Sequence, residues 1–217
     1  MENIRDTLKS IKTLSGKLSE FAVERAPQTP HALFLQWLRD AIDENVPEPN
    51  VMTLSTVDSE GAPDARAIVL LNVDGDGWHF AANAASPKGR QLKQQPLAAL
   101  SFYWPAQGKQ IRLRGKVAAV NRDVSAADFL SRPEKSRAGI LTARQSSVLE
   151  DRSQLESALA TQLARIAQEP ALVSNDWNVY ALAPSEVEFW QSDDKRRFTR
   201  LRYQWQGQQW RQHMLWP

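Results

Sequence analysis

The chain has 217 residues, 42% hydrophobic and 24% charged, which is the make-up of a globular protein with one well-buried core and room for an appendage. It contains no cysteine, which excludes disulfides, thiolate metal sites and cysteine nucleophiles, and it has no apolar run near the ~20 residues a membrane-spanning helix needs. With 27 basic against 25 acidic residues, the sequence pI of about 9.0 says little about partners, and the basic clusters at Arg112–Arg114 and Lys195–Arg202 are local features.

Residues 1–24 carry scattered charges and no apolar stretch of the secretory kind, so the expected location is the cytoplasm. Residues 1–30 are polar, with weak helical periodicity, and end in Ala26-Pro27-Gln28-Thr29-Pro30. They read as an N-terminal arm, partly mobile or docked on a partner subunit. From His31 to Ile42 the residues Leu33, Phe34, Trp37, Leu38 and Ile42 recur at helical spacing, entered through Thr29 as cap and Pro30 as first residue, and Pro47 and Pro49 stop the helix.

Strands dominate next. Val51–Val57 alternates, Asp58–Gly61 turns, and Ala65–Val73 is a more continuous apolar run. Asp74-Gly-Asp-Gly77 is a hairpin signal leading into a strand at Trp78–Ala82. Ser86–Gln94 reads as a short helix with Ser86 as cap and Pro87 first, stopped by Pro96. Leu97–Trp104 and Lys109–Val120 are long strands, and Asp123–Leu130 and Asp151–Gln168 are helical by period. Trp177–Leu182, Glu186–Gln191, Arg197–Gln206 and Gln209–Met214 close the chain as strands. Seven or more strands joined mostly by hairpins, with helices inserted at two places, predict a mainly β fold with added helices (α+β), a barrel rather than a βαβ sheet.

The usual catalytic kits are missing. His31, His79 and His213 have no ligand spacing, so no metal site is expected, and there is no G-x-S-x-G or phosphate-binding loop. Hard chemistry in such a chain comes from an organic cofactor. Ser86-Pro-Lys-Gly-Arg90 combines a serine cap, free backbone N–H groups and a lysine in the first turn. From spacing alone that is first a capped surface helix and, as the alternative, an anion site. Arg66 within an apolar strand is either a strand-end residue or a second cation for that anion. Gln110, Arg112 and Arg114 alternate on one face of a strand. Glu188-Phe-Trp190 followed by Lys195–Arg197 and Arg200 sets an aromatic ring beside an arginine fork suited to a flat anion.

Taken in order, Leu33–Leu38, Gly61–Leu71, Phe80–Leu92, Gln110–Lys116, Ser131-Arg-Pro133, Arg144–Ser147 and Val187–Gln191 with Arg196 and Arg200 resemble the pyridoxine/pyridoxamine 5'-phosphate oxidase family from about His31 to the C-terminus. The resemblance implies an FMN-binding split β-barrel domain over 31–217 with inserted helices, a homodimer with FMN at the subunit interface. It implies an oxidase that passes a hydride from substrate C4' to flavin N5 and then electrons to O2, without nucleic-acid or membrane partners. Arg66, Ser86 and Lys88 would hold the FMN phosphate. Gln110, Gln145 and Ser146 would bond the flavin or its ribityl chain, and Trp190 and Arg200 would lie against its ring. Arg132 and Ser136 would grip a substrate phosphate, and Arg196 would lie over the substrate ring.

Several positions depart from the family pattern. Leu71 replaces a lysine, Asp128 a tyrosine of the substrate-phosphate site, Pro87 an arginine, Ala81-Ala82 a Tyr-Thr pair, and Phe198 a histidine. Cofactor positions survive better than substrate positions. The Ser-x-Lys-Gly helix start, the Phe80-Ala81 pairing and the Arg144-Gln-Ser run are also similar to the flavin oxidase branch of phenazine biosynthesis. The substrate is therefore expected to be a phosphorylated B6 vitamer or, alternatively, another aromatic ring compound. A flavin-binding protein without turnover is the third reading.

Overall fold

The computed structural model describes residues 3–14 and 18–217. Helices α1 (Arg5–Ser10) and α2 (Pro30–Asp43) precede strands β1 (Val51–Val57), β2 (Pro63–Asp74) and β3 (Gly77–Asn83). Helix α3 (Pro87–Gln94), strands β4 (Leu97–Trp104) and β5 (Lys109–Ala119), and helices α4 (Arg122–Leu130), α5 (Glu134–Leu141) and α6 (Arg152–Gln168) follow. Strands β6 (Trp177–Ser192), β7 (Phe198–Trp205) and β8 (Trp210–Met214) end the chain. The strands are hydrogen-bonded in the order β3-β2-β1-β4-β5-β6-β7-β8, and β3 also pairs with β6. That extra pairing closes six strands into a barrel, which removes their free edges. Strands β7 and β8 extend β6 as an antiparallel meander.

The chain forms two compact units: Met1–Thr53, Leu100–Arg114 and Pro184–Pro217 make one, and Leu54–Ala99 and Gly115–Ala183 the other. The first is built on aromatics. Thr29 caps α2 through its side chain and Pro30 opens it, as the sequence predicts. The buried stripe of α2 is Leu33, Phe34, Trp37 and Ala41, whereas Ile42 is exposed, so the apolar face is one residue offset from the expected one at its end. Phe34 packs on Phe102 at 5.0 Å and Trp37 edge-on to Phe189 at 5.1 Å. The end of the N-terminal segment is held in this unit: Tyr203 and Gln212 both donate to the Pro27 carbonyl at 2.7 Å, and Gln191 donates to the Ser19 carbonyl at 2.7 Å.

In the second unit Ala81, Phe129, Trp177 and Val179 form a buried cluster joined by Val120, Ile140, Leu141 and Val173. This cluster seats α4 and α5 on β3 and the start of β6. Helix α5 is absent from the sequence reading: its cap is Pro133, which offers no side-chain acceptor, and Gly139 sits inside it, so no start signal marks it. The two strands expected at 177–182 and 186–191 are one strand of 16 residues. Its first half pairs with β3 and its second with β7. Pro184 lies at the change of partner, where the missing N–H interrupts neither of these ladders. Gly77 is required at its position: its φ is +131°, and a Cβ there would overlap the Leu182 carbonyl.

Candidate active site

Alternation along β2 puts Asp64 and Arg66 on one face. Arg66 is pinned from several sides: it ion-pairs with Asp64, donates to the Thr56 hydroxyl at 2.5 Å and to the Leu54 carbonyl at 3.3 Å, and reaches Gln91 Oε1 at 3.3 Å. Gln91 on α3 also donates to Asp64 at 3.3 Å, and this bond, with the Arg66 charge beside it, holds the Asp64 carboxyl below the usual carboxylate range against partial burial. The guanidinium is thus a fixed feature of the site rather than a mobile surface group.

Helix α3 delivers the second cation. Ser86 is buried; its hydroxyl donates to the Asn83 carbonyl at 2.6 Å and accepts from Gly89 N–H at 3.3 Å, so its role is to cap and anchor the helix start. Gly89 lies against the Asn83–Ala84 backbone so closely that a Cβ would overlap it. Pro87 takes the first helical position, where no N–H is needed. Lys88 follows, and its Nζ donates to Gln145 Oε1 at 3.1 Å. Arg66, Lys88, Gln145 and Ser146 line one cavity of about 450 Å³. Burial, and then the charge of Arg66, push the Lys88 pKa below its usual value, with Asp64 opposing. Ser146 holds a left-handed backbone conformation (φ +69°), which directs this turn at a local cost of order 1 kcal/mol.

A second cavity of about 480 Å³ adjoins the first and shares Asn83, Gln145 and Trp177 with it. Arg132 and Ser136 line it, with Arg144 and apolar walls from Ile140, Leu149 and Leu155. Arg132 is not free: its Nε and Nη2 donate to the two carboxylate oxygens of Asp128 at 3.1 and 3.3 Å. Its guanidinium lies over the Trp177 ring at 4.6 Å, and the Trp177 indole N–H donates to the same carboxylate at 2.7 Å. Of the other departures, Ala81 and Ala82 line the first cavity, and Leu71 is the extra residue of a bulge between Leu70 and Asn72 in β2.

The remaining expected residues belong to the other compact unit. Gln110, Arg112 and Arg114 share one face of β5, and Arg112 and Arg114 pair with Glu188 at 2.7 Å and Glu186 at 3.4 Å. Glu188 is buried and also accepts from Arg200 Nε at 2.9 Å. Burial would raise its pKa, but the hydrogen bonds from Arg200 and Arg112 outweigh that and hold it below the usual value. Arg200 stands opposite Trp190 in the β6–β7 ladder and donates to the Trp216 carbonyl at 2.9 Å. Trp190 stacks on Phe198 at 5.4 Å, so the phenylalanine that departs from the family pattern supports the tryptophan. Arg196 sits in the β6–β7 turn with φ +57°, in a loop that Asp193 organises by accepting from the Lys195 and Arg197 N–H groups.

Sequence reasoning missed Thr56, Asp64 and Gln91 around Arg66, and Asn83 and Trp177 in the shared wall. Asp64 had a signal, the i, i+2 alternation with Arg66; Thr56 and Gln91 come from other elements and had none. Among the described residues no group of three or more histidines and acids could hold a metal ion, and no helix is long and apolar enough to cross a membrane.

Comparisons with known proteins agree with this architecture. The family model for pyridoxamine 5'-phosphate oxidase matches residues 38–165, and that for the pyridoxine 5'-phosphate oxidase C-terminal dimerisation region matches 177–217. A pyridoxine/pyridoxamine 5'-phosphate oxidase of Pseudomonas fluorescens is 39% identical over 195 residues, 89% of this chain and 91% of that protein. One of Legionella pneumophila is 35% identical over 211 residues, 97% of this chain and 98% of the relative. Among solved structures, PhzG from Burkholderia lata in complex with tetrahydrophenazine-1-carboxylic acid superimposes with a TM-score of 0.87 at 29% identity, covering 93% of this chain and all of that one. The chain belongs to the pyridoxamine 5'-phosphate oxidase family and is an oxidoreductase of that family.

Proposed function

We propose that this chain is a cytoplasmic, FMN-dependent oxidase that holds the FMN phosphate between β2 and the start of α3 and acts on a small ring substrate. The observation that carries the reading is the meeting of Arg66 and Lys88 on one cavity, where Lys88 has an amide partner and a lowered pKa. Two cations pressed together in a half-buried space are relieved by an anion, and a phosphate at a capped helix start suits that donor set. Gln145 and Ser146 in the same cavity offer hydrogen bonds to the rest of the cofactor. FMN, when bound, supplies a two-electron acceptor that is in turn reoxidised by O2.

The chain's own residues bind and orient. Gln110 and Trp190 would meet the flavin, and Arg200, kept cationic by Glu188, would favour negative charge on it. Arg196 would position the substrate ring, while Arg132 and Ser136 would hold its far end. Residues 31–217 form the cofactor-binding domain in this reading and residues 1–30 an arm upon it. A homodimer is the proposed assembly, since Trp190, Arg196 and Arg200 lie in the matched dimerisation region.

Phosphorylated B6 vitamers are the default substrates. A second reading, an FMN oxidase of a different aromatic compound, is favoured by the pairing of Arg132 with Asp128 and by the likeness to PhzG, whose structure holds a ring carboxylic acid. The test is the visible spectrum of protein incubated with FMN and desalted, followed by anaerobic pyridoxine 5'-phosphate. A retained flavin spectrum that bleaches supports B6-vitamer oxidation. A retained spectrum that stays yellow moves the substrate to the second reading or leaves a cofactor binder without turnover. No retained flavin sinks the proposal.

A further inference from the structure

Resting on the reading that the cavity of Arg66 and Lys88 takes the FMN phosphate, we infer that Asp64 is an internal competitor for Arg66 that lowers the affinity of the site for that phosphate. The charges of the cavity carry this. Among the described residues those lining it are Asp64, Arg66 and Lys88; Pro87 brings none, and Arg90 donates to the Ala85 carbonyl without lining the cavity. Asp64 ion-pairs with Arg66, so the lining nets a single positive charge. The hydrogen bond from Gln91, with the Arg66 charge beside it, keeps the Asp64 carboxyl below its usual range, so it is an anion at neutral pH. A phosphate monoester brings a charge of about −1.5 to −2 at pH 7, more than that lining can balance.

Asp64 is not needed to place Arg66. The guanidinium already donates to the Thr56 hydroxyl at 2.5 Å, the Leu54 carbonyl at 3.3 Å and Gln91 Oε1 at 3.3 Å, three uncharged acceptors on β1 and α3. Asp64 is also the more open of the pair, its side chain 45% exposed against 20% for Arg66. Its charge reaches Lys88 as well, where it offsets part of the depression caused by burial and by Arg66. One carboxylate thus acts on both cations, in a half-buried space where the effective dielectric is well below that of water. Removing its charge has two opposite consequences. The ligand-free protein loses an ion pair and leaves two like charges facing, so it becomes less stable. A phosphate gains an uncontested guanidinium that can take two of its oxygens, so it binds more tightly. A residue that merely positioned Arg66 would, on removal, lower both stability and affinity.

The experiment compares Asp64→Asn, which keeps the shape and an oxygen acceptor for Gln91 but removes the charge, with Asp64→Ser, a smaller neutral side chain, and Asp64→Glu, which keeps the charge. The full-length proteins are titrated with FMN and with riboflavin by quenching of flavin fluorescence. Inorganic phosphate is titrated through the rise of the thermal unfolding midpoint with its concentration. Both neutral variants are expected to bind FMN about tenfold more tightly than wild type, and riboflavin, which lacks the phosphate, within about twofold. Inorganic phosphate should tighten in the same direction as FMN, Asp64→Glu should stay near wild type, and the ligand-free midpoints of the neutral variants should fall. FMN bound by every protein, but no more tightly by the neutral variants, would make Asp64 a strut and overturn the inference while the cofactor reading stands. Riboflavin tightening in step with FMN would also overturn it, because the effect would not lie at the phosphate. If no protein binds FMN, the cofactor reading fails and inorganic phosphate decides alone. Tighter phosphate binding by the neutral variants then supports the competitor; equal, weaker or absent binding overturns it.

Discussion

The two cavities of the second unit share Asn83, Gln145 and Trp177, yet the fold treats the cations in them differently. Among the described residues Lys88 donates to no carboxylate, only to the Gln145 amide oxygen, and the charge of Arg66 acts on it. Arg132 receives both oxygens of Asp128. The same solution recurs in the other unit, where buried Glu188 takes Arg112 and Arg200 together. A cation with an internal partner is held in place by it, and removing that partner strands a charge; Arg66, paired with Asp64, still lines the cavity with Lys88. A cation without one is held at a cost that an external anion removes. Arginine count alone therefore says little about where an anion binds; what matters is which charges the fold has left open.

The sharpest way to break this comparison is at Lys88. Lys88→Glu replaces an open cation with an anion facing Arg66 and should weaken FMN binding by about 3 kcal/mol, roughly 150-fold, read by quenching of flavin fluorescence. A change below threefold would mean that the cavity is not the anion site. The pH dependence points the same way. Because the Lys88 pKa is lowered in the folded state, the empty protein should gain stability as pH rises through the window below 10.5, where the native lysine sheds its proton before the unfolded one does. Anion affinity should fall over that window.

A smaller effect is expected at Glu188. Its folded pKa lies below the ordinary 4.5, so its stabilisation is complete above that value and is lost as pH falls through the folded pKa. Glu188→Gln should cost about 2 kcal/mol at pH 7 in urea unfolding, and the difference from wild type should vanish at strongly acid pH. A deficit that persists there would point to packing instead of charge. The smallest change is Trp177→Phe, which deletes one hydrogen bond to Asp128 while keeping a ring under Arg132. About 1 kcal/mol should be lost at neutral pH. If stability is unchanged, the indole is not what fixes Asp128.

Much of the fold was legible residue by residue. Thr29-Pro30 and Ser86-Pro87 open helices because a side-chain acceptor followed by a residue lacking N–H suits a helix start wherever it occurs. Alternation marked β1 and, through Gln110, Arg112 and Arg114, β5, and Asp74–Gly77 turned a hairpin. Ser86, Lys88 and Arg66 were legible as candidates for an anion site for the same local reasons; the structure brings Arg66 and Lys88 to one cavity and leaves Ser86 as the helix cap, and FMN came from the resemblance. Where local signals conflicted with the observed structure, as at Pro184 inside β6 and at Pro133 before α5, the pairing partners and the packed cluster around Trp177 decided the outcome.

What the sequence determined by itself was the inventory: period, caps, turns, and which residue types were on hand for anion binding. Only the tertiary structure decided which of the charges are already matched. Asp128 and Trp177 are 49 residues apart in the chain, and Arg112 and Glu188 are 76 apart. An ion pair depends on distance and burial, which a linear pattern does not encode. The same arginine is a ligand or a strut according to what the barrel folds against it.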